Sequence, residues 1–344
     1  MNISQNIKNT RIAILMILST QLLLSFSVNL LYKGTGEILI GYTKDQAIPY
    51  ILETDNVDMG CMMSEAFAPF ILSFSRVTTP PYQLAIMFNY LSGSCSEFKA
   101  KEEELRYLRA LHVNNITEAQ DARITQKRLL NKAARLQLNS YHSLELAFTE
   151  KPGEECPAFT SENTEFYWLI GIVNGLQAVL NDLASEGRAN VPLDIALKVN
   201  RGASCLDNEK WWGLPRAIQA AIWINFPNSN PSNFDPLTVL NQSTDSGLQQ
   251  SMRISQVIAA QVYIGQGDTE RVKKIIRTHF KERTEKPTIA AYRFLDEIAT
   301  LHLKAMSDYL WTEATGKRTP IGSLGTFWDD PVDTVDTIDL ADLL

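Results

Sequence analysis

Beyond residue 55 the apolar residues of this chain recur with the period of an α-helix, and that period limits the fold more than any other feature. In "DARITQKRLLNKAARLQLNSYHSLELAF" (121–148), Leu130, Ala134, Leu138, Tyr141 and Phe148 fall on one stripe, with charge opposite. "TEFYWLIGIVNGLQAVLNDLASEG" (164–187) is apolar around most of its circumference, which predicts a central helix, and Gly187 suits its C-cap. Pro80 and Pro81 open one helix, and Pro192 stands in the first turn of another, where a missing N–H is harmless. Only "GEILIGYT" (36–43) reads as a short strand. The expected fold is all-α, an array or bundle of antiparallel helix hairpins.

One stretch points to a repeat. In "AQVYIGQGDTERVKKII" (260–276), Ala260, Tyr263, Gly267 and Val272 have the spacing of a tetratricopeptide unit. The small residue lets two helices approach, the aromatic fills the gap, and Gly–Asp turns the chain. Gly171 and Gly175 give partial echoes, so the expected repeats are degenerate.

The net charge of −7 leaves no basic excess to neutralise phosphates, which argues against a nucleic-acid partner. Arg123, Lys127, Arg128, Lys132 and Arg135 are spaced as the wet side of a helix. The N-terminus differs from the rest. Lys8 and Arg11 precede an apolar run, and Ser25 and Ser27 fit a signal peptide cleaved after Ser27. The run is also long enough to remain as an anchor. Either way the bulk of the protein is expected outside the cytoplasm.

Four cysteines suit two disulfides in an oxidising compartment. Cys61 near the start of one predicted helix and Cys95 near the end of the next come level in a hairpin turning at 77–82. That favours Cys61–Cys95 and leaves Cys156–Cys205; four buried thiols are the alternative. No Cys-x-x-Cys exists and the four histidines are scattered, so no metal or cofactor is expected. His142 and Glu145 share a helix face without a second histidine, and no Gly-x-Ser-x-Gly elbow or phosphate loop occurs. "KEEEL" (101–105) offers clustered carboxylates for a cation or, more simply, a charged helix surface.

The stretch "LDNEKWWGLPRAIQAAIW" (206–223) sets two adjacent tryptophans before Gly213 and Pro215, with Trp223 at its end. Being consecutive, Trp211 and Trp212 are expected to point different ways, one into the core and the other to a further surface. They are either structural anchors or the wall of an apolar cavity or interface.

Three stretches together resemble the TatT-like T-components associated with TRAP (tripartite ATP-independent periplasmic) transporters. These are 57–105, the aromatic-led helix 164–180, and 206–223, where Asp207, Trp212, Gly213 and Pro215 stand at matching positions. The resemblance covers 57–316. It departs in lacking a lipoprotein cysteine, in adding four cysteines, and in the longer connection "FPNSNPSNFDP" (226–236). It implies a non-enzymatic, helical periplasmic protein that associates with a periplasmic solute-binding protein and forms a homo-oligomer. Such a protein takes a hydrophobic small molecule or organic anion in an apolar cavity. On that reading Phe166, Tyr167, Trp168, Trp211, Trp212, Pro215 and Trp223 are the contact residues. The other readings are a tetratricopeptide-type scaffold in the cell envelope, with a polar and aromatic groove, and an exported helical enzyme with a cleft near His142 and Glu145. The expected organisation is 1–27 signal peptide or anchor, 28–56 N-terminal extension, 57–317 helical domain and 318–344 acidic flexible tail, with "GTFWDD" (325–330) as a docking element within it.

Overall fold

Two long helices joined by three residues carry the architecture. In the computed structural model, which describes residues 28–226, 229–231 and 233–331, these are α4 (Tyr82–His112) and α5 (Ile116–Ala147). Before them come α1, from 28 through a π-type turn at Thr43–Ala47 to Leu52, then α2 (Val57–Ala66) and α3 (Ala68–Ser73). After them come α6 (Glu162–Ala184), α7 (Asp194–Ala203), α8 (Leu214–Asn225) and α9 (Pro236–Gln249). The chain ends with α10 (Ile254–Gly265), α11 (Thr269–Glu285) and α12 (Arg293–Thr315). No strand occurs among the described residues, so the protein is all-α.

The α4–α5 turn is fixed locally. Asn114 takes a left-handed φ of 54°, and the Asn115 side chain caps α5 by accepting from the Glu118 N–H at 3.2 Å. The helices then run antiparallel: Gln126 reaches Glu104, Ser96 Oγ donates to the Leu129 carbonyl and Ser140 Oγ to that of Ile86, both at 2.9 Å. Gly93 permits the approach, since a Cβ there would lie 2.8 Å from Gln137. Gly171 and Gly175 bring α6 as close to Leu144 and Tyr141 of α5. As its composition predicts, α6 is central, with Phe166 through Ile172 all buried.

Each helix from α4 onward packs on its successor, and α12 packs back onto α4 as well as onto α10 and α11. The succession therefore closes on itself. Where α10, α11 and α12 meet, Arg253, fully buried, is bound through Nη1 to Asp296 Oδ2 at 2.5 Å, and its backbone N–H donates to Asp296 Oδ1 at 2.9 Å. α10 and α11 place Ala260, Tyr263 and Val272 in the core and turn at Gly267, whose φ is +76°.

Both disulfides form in the expected pairing, Cys61–Cys95 and Cys156–Cys205, and no free cysteine remains. Their position differs in one respect: α4 runs on to His112, so Cys95 is a mid-helix residue and not one near the end. Residues 36–43 are helical in α1, because the neighbours there are helices and no sheet edge is present to pair a strand; Thr43 Oγ1 instead bonds the Leu39 carbonyl at 2.7 Å. Pro192 lies two residues before α7, where its carbonyl accepts the Ile195 N–H at 3.2 Å. At the end of α6 the left-handed residue just past the cap is Glu186, φ 68°, and Gly187 follows it, donating to the Asp182 carbonyl at 2.8 Å.

The expected flexible tail is docked as far as it is described. Thr319 bonds Asp308, Phe327 is buried against α11, and Asp329 and Asp330 pair with Lys273 and Arg277. The signal peptide or anchor at 1–27 and the tail residues 332–344 lie outside the described residues.

Candidate functional site

The seven aromatic and proline positions expected to touch a ligand are all buried. Trp168 donates through Nε1 to the Gly202 carbonyl at 2.9 Å and is boxed by Phe148 and Phe159. Trp223 stacks on Phe234. Phe166, Trp211, Trp212 and Tyr292 form one cluster with ring centroids 4.9–6.0 Å apart. Beside it the buried Glu165 accepts from Trp211 Nε1 at 2.7 Å and pairs with Lys210. The expected divergence of the two tryptophans does not occur. Trp212 has a left-handed φ of 54°, which turns its side chain back beside Trp211 with the rings edge-on at 5.4 Å. These residues glue α6, α8 and the start of α12 together.

The concave space lies elsewhere, between α2, α4 and α12. A cleft of about 340 Å³ is walled by Val57, Phe98, Leu105, Leu301 and Ala305 and by the Cys61–Cys95 disulfide. Lys99, Lys101, Lys304 and Arg318 stand along it, against Asp58, Glu102 and Asp308. Lys99 pairs with Glu65 at 3.4 Å, Arg318 with Glu102, and Lys101 lies 4.0 Å from Glu97. Lys304 is exposed and has no partner among the described residues. The size lies in the range of small-ligand sites, and apolar walls with a few charges at the rim are the usual lining.

Smaller clefts of about 290 and 260 Å³ adjoin it, sharing Lys101 and extending between α10, α6 and α5. Beneath them is a buried polar group. Glu97 Oε2 accepts from Gln137 Nε2 at 3.4 Å and Asn181 Nδ2 at 3.3 Å, while Asn181 also donates to Gln137 Oε1 at 2.8 Å. The His302 ring packs on Phe98 at 4.8 Å with Nδ1 4.0 Å from Glu97 and unbonded. Burial pushes the His302 pKa down to about 4, the Glu97 charge opposing and Lys101 assisting, so its imidazole is neutral at physiological pH. Phe98, which packs on that imidazole, also lines the main cleft.

His142 Nδ1 meets Glu145 at 2.9 Å on the solvent face of α5, with its side chain about half exposed. The "KEEEL" carboxylates are engaged: Glu102 by Arg318, Glu103 by Arg106 and Glu104 by Gln126. No group of acidic, histidine or cysteine side chains able to hold a metal occurs among the described residues. Of that motif Lys101, Glu102 and Leu105 all line the cleft, and Lys101 is the cation that the acidic run masked in the sequence. Phe98, Leu301 and Lys304 had no marking beyond helical period. No protein-family model matches this chain, and no curated protein or solved structure does either.

Proposed function

We propose that this chain is an exported binding module that takes an apolar organic anion in the cleft between α2, α4 and α12. The observation that carries the reading is the pairing of apolar walls with Lys101, Lys304 and Arg318 at the same cleft. An alkyl or aryl body buries against Phe98, Leu105 and Leu301, and its anionic end meets the cations without leaving water. Two disulfides suit an oxidising compartment outside the cytoplasm. In this role the ligand passes to or from a periplasmic solute-binding protein, the partner that the resemblance implies, and the consecutive helix pairs act as degenerate tetratricopeptide-like repeats that hold the cleft. Homo-oligomerisation belongs to the same proposal.

Titration calorimetry with decanoate and with decyltrimethylammonium, two ligands of equal tail and opposite charge, tests it. Decanoate is expected to bind more tightly. Lys304→Glu then weakens decanoate by about fivefold, the effect of roughly 1 kcal/mol at an exposed charge, and Leu301→Asp abolishes binding. Equal affinity for both ligands refutes the anion site. Native mass spectrometry of the exported protein shows whether such a ligand copurifies and how many subunits associate.

A second reading rests on a separate observation. A more polar groove of about 400 Å³ lies between α9, α10 and α11, lined by Asn241, Tyr263, Arg271 and Lys274 among others. A scaffold that grips an extended peptide uses such a surface; chemical-shift changes confined to it on adding a partner protein favour that reading.

A further inference from the structure

One face of the molecule is apolar and uncovered. α1 exposes Leu30, Leu31, Tyr32, Ile38, Tyr42 and Tyr50. The adjoining stretch Val57–Arg76, which holds α2 and α3, has a mean hydropathy of 1.2, and only 28% of its most apolar window is buried. By length and composition it passes as a membrane span, the one such stretch among the described residues. It does not behave as one. The helix breaks at Phe67, and one side of α2 is committed to the fold: Gly60 lies so near Phe294 that a Cβ would come within 2.6 Å of its ring. What remains outside is Met62, Phe67 and Phe70, with relative exposures of 72%, 36% and 50%.

The two surfaces are continuous. A Cβ on Gly36 would sit 2.7 Å from the Phe74 ring, so the α1 backbone lies directly against the end of the α3 segment. Phe67, Phe70 and Phe74 then form a ladder with centroids 5.8 and 5.4 Å apart, leading from α1 toward Met62. A patch this rich in aromatics and aliphatics on a chain exposed to water needs a cover.

The sequence names the cover. From Ile12 to Tyr32 there is no charged residue, and Lys8 and Arg11 precede that run. About 20 apolar residues are enough to enter a bilayer core. The run feeds into α1, the helix that opens this face. We propose that the face formed by α1, α2 and α3 lies on a lipid bilayer, with Met62, Phe67 and Phe70 in contact with the acyl region. Tyr32, Tyr42 and Tyr50 stand where amphipathic rings are favoured, at the headgroup level, and Lys44 and Arg76 are the cations available to lipid phosphates, Lys33 being shared with Glu37 at 3.8 Å. Of the acidic side chains on these helices, Glu65 pairs with Lys99 at 3.4 Å and Glu37 with Lys33, while Asp45 and Asp58 are exposed.

The test uses the full chain reconstituted into vesicles of phosphatidylcholine and phosphatidylglycerol. A nitroxide label is placed at Met62→Cys, Phe70→Cys or, as a control on the solvent side of α5, Lys132→Cys. All three replace exposed side chains, and melting curves matching the parent chain verify the fold. Collision with oxygen, which concentrates in lipid, is compared with collision with a water-soluble nickel chelate. The oxygen-to-nickel ratio is expected to be several-fold higher at 62 and 70 than at 132, and to fall to the control value once the vesicles are exchanged for lipid-free buffer. Ratios equal at all three sites overturn the proposal by showing a wet face. Shielding of 62 and 70 from both reagents overturns it in favour of a second protein copy on the same surface.

Discussion

At the scale of single residues, the least legible feature was also the most consequential. Trp212 and Gly213 take left-handed backbone angles in succession, φ 54° and 75°. The strain at Trp212 is of order 1–3 kcal/mol and persists because both indoles are buried and Trp211 is bonded to Glu165. Gly213 has no alternative: a Cβ would come within 2.3 Å of the Ser243 carbonyl oxygen of α9. Gly187 has a nearly identical φ of 72° but nothing within 4 Å of a Cβ. Gly213→Ala is therefore expected to destabilise by at least about 3 kcal/mol, backbone strain plus collision, and Gly187→Ala by about 1 kcal/mol, strain alone. Urea unfolding of the two variants separates the terms; equal midpoints contradict the close contact with α9. From the sequence, "WWGLP" announced a turn and a helix start, but alternation of consecutive side chains predicted that the tryptophans part. That rule holds for regular backbone and fails where φ is positive.

At the scale of helices, period and punctuation were informative where a helix is long and one-sided. The stripe of α5 placed Leu130, Ala134 and Tyr141 in the core, and the composition of α6 predicted its central place. The failures occur where an element is short or its partner is distant. Residues 36–43 hold a short apolar run between glycines that reads as a strand, yet only a neighbouring edge can make a strand, and helices surround them. The cleft shows the same limit: Phe98, Leu301 and Lys304 carry no local mark, because their meeting depends on α12 returning to α4. Here the Cys61–Cys95 disulfide has a role beyond stability. It spans 34 residues and forms part of the cleft wall, fastening the short α2 to α4. Replacing both cysteines by serine is expected to lower stability by about 3–4 kcal/mol and to weaken decanoate binding. The Cys156–Cys205 pair, closing 49 residues away from the cleft, is expected to lower stability by a similar amount without changing affinity. Unfolding and calorimetry on the two double variants decide whether α2 is a cleft wall or a passenger.

For the whole molecule, closure of the helical succession puts the chain's last described residues within reach of the cleft. Arg318 faces it from the start of the strap 318–331, paired with Glu102 of α4. The strap is held far along at α11: Phe327 is 4% exposed and lies beneath Lys273 and Arg277, which pair with Asp329 and Asp330. Nearer Arg318, Thr319 is bonded to Asp308 and to Ser307. The acidic composition of this segment predicted a solvated terminus, and it was the buried phenylalanine and the basic face of α11 that reversed the outcome, since surface aspartates alone contribute little. The strap's grip can be measured apart from the cleft. Phe327→Ala removes a buried ring and is expected to reduce stability by about 3 kcal/mol, with faster amide exchange at 319–331 and unchanged protection in α4 and α5. If the α11 anchorage holds Arg318 in place, the same substitution also weakens decanoate, by no more than Arg318→Ala does, and the two changes combine without adding. Full additivity, or exchange that quickens in α4 as well, shows instead that the strap braces the ring as a whole and that Arg318 is positioned by Glu102 alone.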